Sequence, residues 1–349
     1  MPSILRFAIV TALLLLLARP VAAYDVNDSH FHLTNYIQEG TDIRTFLDIM
    51  GKRVGRSTLF GIPLQQSWSY RVSGDLAPTY YLDSDADLYY YSFTDAFIAM
   101  AYKSLSKKQQ ARFDPMITGF NPTDMYAADH IRRVLQTFPG VFSGIGEFTI
   151  HKEIVSSKIA GDVASLTDPA LDRILDFAGE VGLVVLIHND MHVPFAKPEK
   201  ARIYFEEMKA LLARHPRTTI IWAHTGLGRI IQPIQGHAAL LDEILRDPPL
   251  QHVYFDISWN EVAKYVVASP ESVAITAGML ERHPDRVLFG TDEVAPKDQA
   301  SYLKIYDQYA PLWAALSPKT SAQLRMGNYE RLFDQGRKKV RAWEAANVR

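Results

Sequence analysis

Eight short segments rich in apolar and β-branched residues, helical patterns between them, and a chain of 349 residues together predict an α/β protein of the (β/α)8 barrel class. In order the segments read "YDVNDSHFH", "STLFGIPL", "DPMITGF", "GVFSGIGEFTI", "GLVVLIH", "TTIIWAH", "HVYFDIS" and "RVLFGTD". The first is polar, and its assignment as a strand rests on its place in the series. Most of the others are apolar or β-branched, as buried strands are. Between them, "DPALDRILDFAGEV" and "KARIYFEEMKALLARH" space apolar residues at i, i+3 and i+4, as amphipathic helices do. Two units repeat one local pattern: "LLARHPRTTIIWAH" and "MLERHPDRVLFGTD" both run from helix through His-Pro to an apolar strand ending in a polar residue. Such alternation argues for a parallel sheet, and eight strands favour a closed barrel over an open doubly wound sheet. Neither a GxGxxG fingerprint nor a P-loop is present, and "GLGRI" at 226–230 is too short to count as one.

One connection is unusually long. Residues 65–112, between the second and third strands, form an insertion that includes "YYLDSDADLYYYSF", with Tyr80, Tyr81, Tyr89, Tyr90 and Tyr91. Connections of this length are commonly lids or disordered segments, and the aromatic content favours an ordered cover. Its rings could cap an aromatic or apolar substrate, or pack the insertion onto the barrel or a second subunit in a homo-oligomer. "DSDADL" is not a calcium loop of the EF-hand kind, since Leu88 stands where glycine is wanted and Thr94 where a glutamate is needed.

At the amino terminus, Arg6, the run "FAIVTALLLLLA" and then "RPVAA", with Val21 and Ala23 at the cleavage positions, predict a signal peptide over residues 1–23. The run is shorter than the ~20 residues that span a bilayer. The expected product is a single exported domain over 24–349, periplasmic or secreted, with no membrane attachment after cleavage. Lys and Arg number 37 against 39 acidic residues, so no basic excess invites nucleic acid. Cysteine is absent, which excludes disulfides, thiolate metal sites and a thiol nucleophile. Any metal must be held by His, Asp or Glu.

In a barrel of this class the carboxyl ends of the strands converge on one face, where active sites are built. Those ends supply His30 and His32, then Glu147, His188, His224 and Asp292. Residues i and i+2 of a strand project to one side, so His30 and His32 could reach one ion at about 2.0–2.1 Å. Alone, His-x-His reads equally well as two loop histidines. Six metal-capable side chains, ending five of the eight strands in strand order, make a much stronger joint signal. Asp292 follows the apolar run "RVLFGT", where a carboxylate is costly unless a cation accompanies it; the bland alternative is a helix cap.

With these residues in view, the chain resembles the amidohydrolase superfamily, in particular the amidohydrolase-related branch of metal-dependent hydrolases and non-oxidative decarboxylases. The resemblance runs from "HFH" through "GIGEF", "LIHND", "WAHTG" and "FGTD" to "GNYERLF" at 327–333. It implies a distorted (β/α)8 barrel of the TIM type holding one or two divalent metals. By position, His30, His32 and Asp292 match ligands of a first metal, Glu147 a bridging or ligating residue of the fourth strand, and His188 and His224 ligands of a second. Some relatives carry a modified lysine at the Glu147 position and others leave it unliganded. If one metal binds, His224 is left free to orient water or polarise a carbonyl. Zinc suits a His-rich site with oxygen ligands, with manganese or iron as alternatives. Asp292 would take a proton from the activated water.

Beyond the strand ends lie Gln65, His151, Lys152, Asn189, Asp190, His192, Arg229 and Trp259, in loops that could touch a small-molecule substrate. Arg229 could pair with a substrate carboxylate or be an ordinary helix-surface arginine, and His192 could support the site or contact substrate. The expected activity is hydrolysis of an amide, ester or lactone. Decarboxylation of an aromatic or enoic acid is the alternative. Family decarboxylases often begin with Glu-x-His where this chain has two histidines, which favours hydrolysis. A non-catalytic metal-binding barrel is the third reading.

Overall fold

The computed structural model describes residues 24–35, 39–62, 93–152, 164–197, 200 and 202–348, together with the backbone of 67–68 and 82–83. The signal-peptide segment, Gln65 and the five tyrosines of the insertion lie outside the described residues. The strands are β1 (Val26–Asp28), β2 (Phe31–His32), β3 (Val54–Leu59), β4 (Ser67–Trp68), β5 (Leu82–Asp83), β6 (Phe113–Ile117), β7 (Gly144–Thr149), β8 (Val184–His188), β9 (Ile220–Trp222), β10 (Val253–Asp256), β11 (Val287–Leu288) and β12 (Glu293–Val294). Eight of them form one sheet in the order β1-β3-β6-β7-β8-β9-β10-β11, each neighbour parallel and next in sequence within the sheet. The ends of this sheet meet: Ser29 N donates to Phe289 O at 3.1 Å, and β2 pairs in parallel with β12. The fold is a TIM-type (β/α)8 barrel.

Helices follow the strands: α1 (Ile43–Met50), α2 (Phe93–Lys103), α3 (Ala127–Thr137), α4 (Pro169–Val181), α5 (Ile203–Arg214), α6 (His237–Arg246), α7 (Pro270–Arg282), α8 (Gln299–Gln308) and the terminal α9 (Asn328–Asn347). Their ends are chemically marked. Asp42 caps α1 by accepting from Arg44 N and Thr45 N, and Asp168 with Pro169 opens α4, which stops at the left-handed Gly182 (φ 85°). The 65–112 connection thus ends in regular helix, with α2 and a further turn at Lys107–Gln110 leading into β6.

Strand alternation sorts the side chains. Val185 and Ile187 of β8, with Ile220 and Trp222 of β9, join the layer between sheet and helices; Val184, Leu186 and Ile221 face the barrel interior with Met116, Tyr254 and Leu288. Tyr329, Leu332 and Phe333 of α9 complete that inner core. They close the end of the barrel opposite the converging strand ends. The same parity that sends Val184 and Leu186 inward carries His188 inward at the last position of β8.

At the closed end one buried carboxylate ties α9 to the barrel. Asp114 of β6 is fully buried and accepts from Arg56 Nη2 at 2.8 Å, Tyr329 Oη at 2.8 Å and Arg337 Nη2 at 2.5 Å. Asp114→Ala removes the acceptor shared by two guanidinium groups and a phenol, leaving Arg56 with Asp334 and Arg337 with Phe113 O. It is expected to lower the free energy of unfolding by about 3 kcal/mol, the lower end for breaking a buried ion pair because Arg337 keeps access to water. Chemical denaturation measures this directly.

Candidate metal centre

The first segment forms two short strands where one continuous strand is expected. Between β1 and β2 the ladder breaks at Ser29 and His30, because the Asp28 carboxylate accepts from His30 N at 3.0 Å and from Thr291 N at 2.8 Å across the seam. Phe31 turns outward to stack on Phe46 at 3.8 Å, while His30 and His32 on either side of it face the barrel mouth. The i, i+2 projection therefore survives the loss of strand pairing.

Glu147 is placed by a bulge. Ile145 and Phe148 of β7 both join the outer layer, although three positions apart, and the pairing with β8 slips between them. The extra residue turns Glu147 into the mouth. Gly146 makes this feasible: its φ is 112°, and a Cβ there would lie 2.0 Å from Leu186 O.

Whereas His188 simply ends β8, His224 and Asp292 sit in strained turns. His224 and Thr225 leave β9 with φ of 57° and 53°, and Asp292 after β11 has φ 54°. Such left-handed conformations cost a non-glycine residue on the order of 1–3 kcal/mol and gather at functional sites. Each is held by hydrogen bonds: His224 N donates to Asp256 Oδ1 at 2.8 Å, and Asp292 N to His30 O at 2.7 Å.

All six residues expected from the strand ends meet. Asp292 Oδ1 lies 3.0 Å from His32 Nε2 and 3.3 Å from His30 Nε2. Glu147 stands between two imidazole pairs. Its Oε2 is 3.7 Å from His30 Nε2 and 3.6 Å from His32 Nε2, and its Oε1 is 2.7 Å from His188 Nδ1 and 3.2 Å from His224 Nε2. Three groupings could hold a metal ion, the offered atoms of each within 4.8 Å of one another: two share Glu147, His30/His32/Glu147/Asp292 and Glu147/His188/His224, and the third is His30/His224/Asp256. Among the described residues the buried His30 Nε2 makes no hydrogen bond, yet it points at two carboxylates. An unsatisfied imidazole nitrogen facing carboxylate oxygens is the donor set of a borderline divalent ion, so the residues fit a metal.

The electrostatics agree with a site built around positive charge. Burial opposes the His30 imidazolium, but Asp292, Asp256 and Glu147 outweigh it and raise the His30 pKa well above the ordinary value. Burial also works against the Glu147 carboxylate, yet the Lys152 ammonium, His30 and the hydrogen bonds of His188 and His224 hold it well below its usual range. Asp292 is depressed against burial by His30 and His224. His224 is lowered, chiefly by burial.

Of the residues expected to meet substrate, Trp259 borders the cluster, its ring 5.1 Å from that of His224, with Lys152 Nζ 5.6 Å from the indole centre. His151 stacks on Tyr204 at 3.9 Å, where burial lowers its pKa to about 4. His192 Nε2 lies 3.0 Å from Gln232 O, and Arg229 is half-buried in the segment after β9. None of these last three belongs to any of the three groupings. Sequence reasoning missed Asp256, which closes β10, and Ser258 just beyond it. Asp256 is fully buried with Oδ2 3.0 Å from His30 Nδ1. The signal was available: in "VYFD" the aspartate shares the inward parity of Tyr254, as His188 shares that of Leu186.

A parallel α/β barrel with imidazoles and carboxylates converging at the carboxyl ends of its strands defines a class of metal-site barrels. Within that class, the chain belongs to the Amidohydrolase family, whose profile matches residues 28–335. Among solved structures it is similar to a zinc-bound amidohydrolase from Burkholderia multivorans (13% identity, TM-score 0.54, covering 89% of this chain and 99% of that one). It is also similar to 2,6-dihydroxybenzoate decarboxylase from Rhizobium (12%, TM-score 0.51, 89% and 99%) and to an uncharacterized TIM-barrel protein from Bordetella bronchiseptica (14%, TM-score 0.52, 89% and 99%). These likenesses concern the fold. No curated protein matches the chain.

A metal must displace the proton at His30, so occupancy falls on acidification. Because the pKa of His30 is raised, the loss is expected to begin above the 6.5 of ordinary histidine. Metal per chain after equilibration with a weak chelator across a pH series checks this, and the His30→Ala, His32→Ala double variant is expected to lose metal at every pH.

Proposed function

We propose that the protein is a metal-dependent hydrolase that uses an activated water to cleave an amide, ester or lactone bond of a small molecule. The observation that carries this reading is Glu147, one oxygen of which faces the His30/His32 pair and the other the His188/His224 pair. One carboxylate so placed can serve two ions, the first completed by Asp292. Zinc is the proposed metal, from the imidazole and carboxylate donors; manganese and iron accept the same set. When bound, the metal supplies Lewis acidity that activates water and polarises a carbonyl.

The chain's own residues do the rest. Asp292 is assigned to take and return the proton, since its side chain is the most exposed of the three carboxylates, at 11% against 6% for Glu147 and none for Asp256. Lys152 and Trp259 offer a cation and a flat apolar face beside the centre. Arg229, His192 and His151 follow β9, β8 and β7 and are assigned, with Gln65, to the loops that select substrate. Export to the periplasm or the medium would expose the site to environmental small molecules.

That same Lys152–Trp259 surface favours a second reading, non-oxidative decarboxylation of a planar aromatic or enoic acid, whose carboxylate the ammonium would attract. Oxygen-18 water separates the two. Hydrolysis places the label in the product, whereas carbon dioxide released with unlabelled organic product would overturn the hydrolase reading. Asp292→Asn is expected to lower turnover by about 10²–10⁴-fold with an unchanged circular dichroism spectrum, as removal of a general base does.

A further inference from the structure

Asp256 and Ser258 are the polar groups that touch both halves of the centre from behind. Asp256 Oδ2 is 3.0 Å from His30 Nδ1. Its Oδ1 accepts from His224 N at 2.8 Å, from Ser258 N at 3.2 Å and from the Ser258 hydroxyl at 2.5 Å. Ser258 Oγ in turn lies 2.8 Å from His224 Nδ1 and 3.2 Å from His30 Nδ1. All four residues are fully buried, so no water rearranges these contacts.

A hydroxyl has one proton and two lone pairs, and an ionised carboxylate can only accept. Two backbone N–H groups aim at Asp256 Oδ1 and keep it an acceptor, so the close contact between the two oxygens requires the Ser258 proton to lie between them. Ser258 then has only lone pairs left, and His224 Nδ1 must carry the hydrogen it donates to Ser258. Asp256 Oδ2 likewise requires a hydrogen on His30 Nδ1, part of which Ser258 shares. The reverse assignment leaves two oxygen lone pairs facing each other at 2.5 Å without a hydrogen.

We propose that Asp256 and Ser258 are paired positioning residues that lock a proton on Nδ1 of both His30 and His224, thereby directing both Nε2 atoms to the centre and tying one imidazole from each of the two groupings that share Glu147 to a single carboxylate. This rests on the cluster being a metal centre, while the proton assignment itself does not require metal. One residue of the strand after β9 therefore sets the readiness of ligands drawn from opposite sides of Glu147. Hydrogen bonds of this kind to a ligand's far nitrogen typically contribute about 10–100-fold in metal affinity.

The test uses the full mature chain with nitrogen-15 labelled histidine. In wild type, nuclear magnetic resonance is expected to show slowly exchanging Nδ1–H protons on both His30 and His224, with or without zinc, since neither charge state of His30 removes that proton. Ser258→Ala is expected to lose the His224 signal and keep that of His30. Asp256→Asn is expected to perturb both and to weaken zinc binding, read by chelator competition, about 10–100-fold. A wild-type proton on Nε2 in place of Nδ1 of either ring overturns the proposal, as does a Ser258→Ala variant that keeps the His224 signal or loses the two equally. Should Asp256→Asn fail to fold, Ser258→Ala decides alone. A wild type that shows both Nδ1–H protons but binds none of zinc, manganese and iron removes the metal centre and leaves the proton assignment standing.

Discussion

Four imidazoles and four carboxylates, from His30, His32, His188 and His224 and from Asp28, Glu147, Asp256 and Asp292, share one end of the barrel almost out of reach of water. An isolated charge there would cost many kcal/mol, so the imidazoles and the other three carboxylates meet one another, while Asp28 is met by backbone N–H groups and the hydroxyls of Thr291 and Tyr302. The irregularities of the chain at that end are the local means by which this is done. Asp28 breaks the first strand and spans the seam to Thr291; Asp256 holds the turn after β9; Glu147 reaches the centre only because β7 gains a residue at Gly146.

The two ends of the barrel divide the labour. At the closed end α9 fills the interior with Tyr329, Leu332 and Phe333, and Asp114 gathers Arg56, Tyr329 and Arg337 into one cluster, whose second positive charge is met by Asp334 on Arg56. That packing stabilises a framework on which the open end can carry strain. His224, Thr225, Trp259 and Asp292 all have positive φ, and all lie just past the strands that surround the site. Conformations so unfavourable persist where surrounding hydrogen bonds over-determine them, which is the condition of a preorganised site.

The same geometry explains how one acid can matter to two groupings. The Glu147 oxygens point in opposite directions between imidazole pairs, and behind them Asp256 reaches His30 with one oxygen and the His224 backbone with the other. Front and back carboxylates therefore clamp the imidazoles between them. Lys152 stands outside this clamp, above Trp259, and its charge helps to keep Glu147 ionised.

Much of this was legible in the residues alone. Eight strand-like segments, most of them apolar, in alternation with helical patterns determined the barrel, since a period of two or of 3.6 has few other ways to bury its apolar face. The six polar residues at five strand ends were readable for the same reason: a parallel sheet sends its carboxyl ends to one place. Parity could also have put Asp256 at the mouth, but tertiary structure alone decided the break at Ser29–His30, the bulge that turns Glu147 inward and the contacts of Asp256 and Ser258 with both His30 and His224. Each of these depends on contacts between residues tens to hundreds of positions apart, whose hydrogen bonds no local pattern encodes. Linear order announces which side chains arrive at the barrel mouth; only closure of the sheet determines which nitrogen and which oxygen of each faces the centre.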